Sequence, residues 1–212
     1  MLLSLLIATQ IATSQAPKIF PKFDWKAAEP LVIKATLETG AYLPAPPECT
    51  KPPSQDHKLG IICIDSPPFW VAANEPSSIY GDLNEKTIPL ATTSHFGMEQ
   101  TVDSWKAKPR LLLVLRHGNE YVMPRYALAN ILTNRSGEDF VPLNSSGSIW
   151  WLPCSVTGLK EPLNRENFSR SNWSDFYSEN AFPKYGISLK KLSEKLARIK
   201  PNVAQMTCGR EI

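Results

Sequence analysis

Short apolar runs separated by turn signals make up most of this chain. Runs over 31–37, 60–64, 69–73, 87–93, 110–116, 120–123, 139–143 and 149–152 have the length and residue content of strands. Gly118-Asn119, between two of these runs, reads as a two-residue hairpin turn because both residues tolerate positive φ. Pro124 then breaks the pattern, and Leu128, Ile131 and Leu132 fall on one face of a short helix over 125–132. The apolar period changes again at the end, where Leu189, Leu192, Leu196 and Ile199 alternate with Lys190, Lys191, Lys195, Arg198 and Lys200. That spacing predicts an amphipathic helix over 188–200, with Ser188 as N-cap and Pro201 limiting its far end. No fixed-period repeat is present. The pattern predicts a mainly β fold, a small barrel or sandwich with an OB-like barrel favoured, one short internal helix and a C-terminal amphipathic helix.

The two ends frame this core. Residues 1–16 are uncharged, with an apolar stretch from Leu2 to Ala8 followed by small residues, the shape of a secretory signal peptide. The stretch is too short for a membrane span, which needs about 20 apolar residues. Residues 17–59 read as an extended, Pro-rich segment holding one strand, with five prolines between Pro44 and Pro53. The β-rich core is expected over 60–156, with an aromatic-rich loop and the terminal helix over 157–212 packed on it.

Export fits the cysteines. Cys49, Cys63, Cys154 and Cys208 form an even set in a chain expected outside the cytoplasm, periplasmic or secreted, so two disulfides are expected. Spacing favours Cys49 with Cys63 and Cys154 with Cys208, although four cysteines allow three connectivities. Zinc is disfavoured because no two of them are closely spaced. Asn134, Asn144, Asn167 and Asn172 each open an N-x-S sequon, acceptors for glycan only in a secretory pathway that glycosylates.

Charge excludes some partners. The 212 residues carry 23 Lys and Arg against 20 Asp and Glu, for a net charge of +3. The segment from Lys184 to Lys200 holds six Lys and Arg and one Glu, so the remainder is slightly acidic and no nucleic-acid surface is expected. A basic amphipathic helix can also lie on an anionic membrane. Packing of its Leu stripe on the domain is the favoured alternative.

Two resemblances bear on fold and chemistry. The run I-Y-G-D-L-N-E-K-T-I-P-L over 79–90, then P-R-L-L-L-V-L over 109–115 and Y-V-M over 121–123, resembles the strand grammar of netrin-like, inhibitor-type OB barrels across about residues 60–152. The family's N-terminal cysteine pair and its Cys-Gly are missing, so the resemblance implies a fold and not inhibition. The run L-L-L-V-L-R-H-G, an apolar strand ending at Arg116-His117-Gly118, resembles the histidine phosphatase superfamily. That likeness implies His117 as nucleophile and Arg116 as phosphate clamp. No histidine follows His117 to complete such a pocket, and the remaining chain does not alternate strands with long helices. The alternative is a hairpin end with two exposed polar residues. His95, in T-T-S-H-F-G-M, is the other histidine a loop would present as a base, while His57 has no supporting motif.

No metal site, nucleotide loop or serine-hydrolase motif appears, and no cofactor is expected. Trp150, Trp151, Trp173, Phe176 and Tyr177 are the candidate surface for a protein or glycan partner; burial of these aromatics under a long loop is the competing reading. The expected function is therefore a non-enzymatic binding or accessory module. The alternatives are a hydrolase using His95 or His117 and a peripheral membrane protein held by the helix 188–200.

Overall fold

In the computed structural model, residues 23–44, 67–94, 97–105, 108–143 and 149–206 are described. The expected signal peptide, the strand over 60–64, His57, His95, Asn144, Cys49, Cys63 and Cys208 lie outside the described residues.

A long first strand organises everything else. β1 (Glu29–Tyr42) pairs antiparallel with β2 (Phe69–Tyr80) along much of its length, and its first half pairs antiparallel with β4 (Arg110–His117) on the other edge. Register shifts at Val32/Ile33, Lys34/Thr36 and Thr39/Tyr42 bend β1 enough to serve both neighbours. β3 (Thr87–Thr92) continues from β2, and β5 (Glu120–Val122) pairs parallel with β3 and antiparallel with β4. The order β1-β2-β3-β5-β4 therefore closes back on β1 as a five-stranded barrel with one parallel pairing. This is the OB-like arrangement that the sequence favours. Closure removes the sheet edges within the barrel.

The barrel is filled by side chains. Leu111, Leu112, Leu113, Val114 and Leu115 of β4 are all buried, so both faces of that strand are covered, with Val71, Ile88, Leu90, Ile33 and Leu37 in the same core. The β4–β5 hairpin turns at Gly118-Asn119 as expected, but only Gly118 takes positive φ, at 59°.

Two local expectations are corrected. Residues 125–132 are not a helix: β6 (Leu128–Asn130) adds to β4, and β7 (Leu132–Thr133) starts a second sheet. Pairing with β4 outweighs a weak helical period because Arg110, Leu111 and Leu112 gain backbone partners from β6. The short internal helix is instead α1 (Met98–Asp103), between β3 and β4. Residues 149–152 form a turn closed by Leu152 N–H donating to the Ile149 carbonyl at 3.0 Å, not a strand.

The second sheet runs β7-β8-β10-β9, with β8 (Asp139–Pro142), β9 (Glu161–Pro162) and β10 (Tyr185–Ser188). Between its strands lie 3-10 turns at Cys154–Leu159, Arg165–Asn167 and Glu179–Ala181, and the short α2 (Arg170–Trp173). Lys34 of β1 meets Asp139 of β8 at 2.5 Å, which joins barrel and sheet. The terminal helix α3 (Leu189–Ile199) buries Leu189, Leu192 and Leu196, as its stripe predicts. Ser188 stands at its N-cap position, yet its hydroxyl donates to Glu138 Oε1 at 2.8 Å instead of capping the helix.

Candidate functional site

An apolar strand that opens on an arginine must place that charge somewhere. Arg110 begins β4 and is only 5% exposed. Its Nη2 donates to the Ser104 carbonyl at 2.6 Å, and its guanidinium carbon lies 4.6 Å from the centre of the Phe176 ring. Lys108 Nζ lies 5.0 Å from the same ring, donates to the Ser171 carbonyl at 2.6 Å and pairs with Asp175 at 2.7 Å. Two cations thus share one aromatic ring, and among the described residues a carboxylate pairs with the lysine and none with the arginine. Among the described residues, Arg110 Nε has no hydrogen-bond partner.

Tyr177 completes the cluster. Asn130 sits directly opposite Arg110 in the β4–β6 register, so the two side chains leave the same face of the sheet. Asn130 Nδ2 donates to the Tyr177 hydroxyl at 3.3 Å, which brings the phenol to Arg110. Burial pushes the Tyr177 phenol above its ordinary pKa, and burial lowers that of Arg110, which the phenolate would raise. Behind this edge Phe168 and Trp173 are buried with Leu132 and Phe140 in a second apolar cluster, and Phe182 stacks on both Phe168 and Trp173 at 5.6 Å. The aromatic layer is therefore a small core of its own, whose outer rim is Phe176 and Tyr177.

The candidate aromatics separate accordingly. Trp151 is 1% exposed in the main core and Trp173 is 5% exposed in the second, so neither presents a surface. The main core encloses Trp151, and Phe140, Phe168, Phe176, Tyr177 and Phe182 surround Trp173. Trp150 is half-buried against the main core, distant in role from Phe176 and Tyr177. Arg110 and Lys108 escaped sequence reading. Their signal is a basic pair around Pro109 at the mouth of an apolar strand.

The histidine motif assembles differently from a phosphate pocket. His117 is exposed at the end of β4, edge-on to Phe23 at 6.2 Å. Arg116 is engaged: Nη2 and Nε donate to Glu29 Oε2 at 2.6 and 3.3 Å, and Nη1 donates to the Asp82 carbonyl at 2.8 Å. The bond to Glu29 raises the Arg116 pKa. Arg116 lines an open groove of about 670 Å³ between the barrel and α3, with Glu29, Tyr80, Asp82, Ser193 and Lys200. Among the sequons, Asn134 Oδ1 accepts from Ser136 Oγ at 2.8 Å, Asn167 is exposed, and Asn172 Nδ2 is bonded to the Thr133 carbonyl at 2.7 Å.

One surface contact has a pH signature. Tyr121 donates to Glu85 Oε1 at 2.6 Å, and burial together with Glu85 pushes its phenol up to about 12, while that bond lowers the Glu85 carboxyl. A raised folded pKa stabilises fully below the unfolded value of about 10 and is lost as pH rises through 12. The depressed Glu85 contributes above the unfolded carboxylate range and is lost on acidification. Between about pH 9 and pH 12 the wild type should lose on the order of 1–2 kcal/mol more than Tyr121→Phe, allowing for water around exposed Glu85. Denaturant unfolding at both pH values measures it, and parallel losses in the two proteins would refute the assignment.

Among the described residues, no group of three His, Cys, Asp or Glu side chains is arranged to hold a metal, and no helix is long and apolar enough to cross a membrane. Set against protein-family models, curated proteins and solved structures, the chain has no match.

Proposed function

We propose that this chain is an exported, disulfide-stabilised binding or accessory protein, periplasmic or secreted, that engages a protein or glycan partner without turning it over. The observation that carries this reading is the half-buried rim of Phe176, Tyr177 and Lys108 over the buried Arg110, on the outside of a barrel whose interior is packed with Leu, Val and Ile. A filled barrel puts recognition on its outer surface. An aromatic rim backed by cations offers both stacking and charge. The appended layer, from the turn at Cys154 to β10, holds that rim on the barrel.

The cysteines fit the same reading. Among the described residues no cysteine is free. Cys154 and Gln205 line one cleft of about 290 Å³, and Cys208 follows Gln205 by three residues in the sequence, which supports the Cys154–Cys208 pairing. Such a bridge contributes roughly 2–4 kcal/mol by restricting the unfolded chain.

Intact mass of the protein recovered from its own host, with and without reduction, tests the proposal. The expected chain starts near residue 15 or 17 and is about 4 Da lighter than its fully reduced form, two hydrogens per bridge. An uncut, fully reduced chain would remove the exported reading. Robust turnover of generic ester, phosphate or glycoside substrates, abolished by His117→Ala, would replace it with the hydrolase.

A further inference from the structure

We propose that the seam between β4 and the aromatic layer is a carboxylate-binding site, in which Arg110 Nε–H and the Tyr177 hydroxyl donate to the same carboxylate group. The inference deepens the binding reading above and rests on it, but not on export.

Two donors at this seam have no acceptor among the described residues. Arg110 is buried, carries a charge that no carboxylate among the described residues balances, and leaves Nε–H without an acceptor. A buried, unpaired charge is costly, and a buried donor left unmade adds to that cost. The Phe176 face and the Ser104 carbonyl offset part of it. Tyr177 accepts from Asn130 but donates to no acceptor among the described residues. Because Asn130 and Arg110 are register partners, both unused donors belong to one patch of the sheet face.

Charge selects the ligand. Lys108 is already balanced by Asp175, which leaves one net positive charge at the seam. A carboxylate brings a single negative charge and oxygens that can accept from both donors. A phosphate brings nearly two negative charges, more than the one net positive charge at the seam balances. Phe176 excludes water from one face of the guanidinium and so strengthens the pairing.

The carboxylate has two sources, a free small acid or the C-terminus of a partner chain. The test uses the whole protein, labelled with nitrogen-15, and follows the arginine Nε–H resonances. Arg110→Met, which keeps the aliphatic volume, identifies the Arg110 signal by its disappearance. Sodium acetate is titrated against sodium chloride at constant ionic strength, and then a short peptide with a free C-terminal carboxylate against its amide. The expected result is a saturable shift of the Arg110 signal with acetate or with the free-acid peptide, and none with chloride or the amide. Saturation by acetate identifies a free acid as sufficient, and saturation by the peptide alone identifies a chain terminus.

Tyr177→Phe should weaken binding about tenfold without abolishing it, since one of the two bonds to the charged group remains. If Arg110→Met does not fold, Tyr177→Phe and the titration of the native chain still decide. A silent Arg110 signal, or equal shifts with chloride and acetate, overturns the site and leaves the donors to water. Turnover in the hydrolase assay would remove the parent reading while leaving this titration unchanged.

Discussion

Trp151→Ala is expected to lower the melting temperature by roughly 10 °C, a loss of about 3–5 kcal/mol in a chain of this size. Trp151 is among the largest fully buried side chains, at 1% exposure in the main core. It stands in a turn between β8 and the 3-10 turn at Cys154, so its indole anchors the C-terminal layer to the barrel core. Removing it leaves a cavity that barrel strands, held by ladders on both edges, cannot close. Trp150, half-buried next door, is the internal control, and Trp150→Ala should cost less than half as much. Thermal unfolding of both variants against wild type checks the pair. Equal losses would show that the two indoles do not divide between core and surface as described.

Gly40→Ala comes second, at about 3 kcal/mol. A Cβ on Gly40 would land on the Trp70 backbone carbonyl and within 2.5 Å of the Trp70 indole Cδ2. The contact is with backbone on β2, in the stretch where Thr39 pairs with Val71 and Tyr42 with Phe69. Relief therefore means breaking the β1–β2 ladder, not rotating a side chain. Gly118→Ala separates steric overlap from backbone strain. Nothing lies within 4 Å of a Cβ there, but φ is 59°, so that change should cost only about 1 kcal/mol. If denaturant midpoints shift equally for the two variants, the close approach at Gly40 is not what the residue is for.

The strands over 69–73, 87–93 and 110–116 were legible because each is a local apolar run bounded by turn residues, and α3 because its period of Leu and Ile holds along its 11 residues. β2 nevertheless runs on to Tyr80, through Glu75 at a φ of 48° and Pro76, residues that no strand propensity selects. Pairing with β1 on either side, at Asn74 and Ser77, carries the strand across them, and Glu75 N–H donates to the Lys86 carbonyl at 2.9 Å. The same competition converted 125–132 from helix to β6 and β7, since β4 needed a partner more than Leu128, Ile131 and Leu132 needed one helical face. Ser188 shows it at the level of one hydroxyl, taken from the helix N-terminus by Glu138.

The candidate site was the least legible part. Phe176 and Tyr177 were on the aromatic surface expected from sequence, but Arg110 stands more than sixty residues earlier, and no local pattern links them. Nor does any pattern distinguish Trp151 from Trp150, which share neighbours and chemistry.

Periodicity, turn chemistry and cysteine count are properties of neighbours along the chain, so they are sufficient for a mainly β fold, its hairpin at Gly118 and its closing amphipathic helix. Which strand meets which, which tryptophan is enclosed, and why a buried arginine keeps an unused donor beside a tyrosine depend on contacts between distant residues. Those contacts are set jointly, by barrel closure and by the packing of a second aromatic core against it.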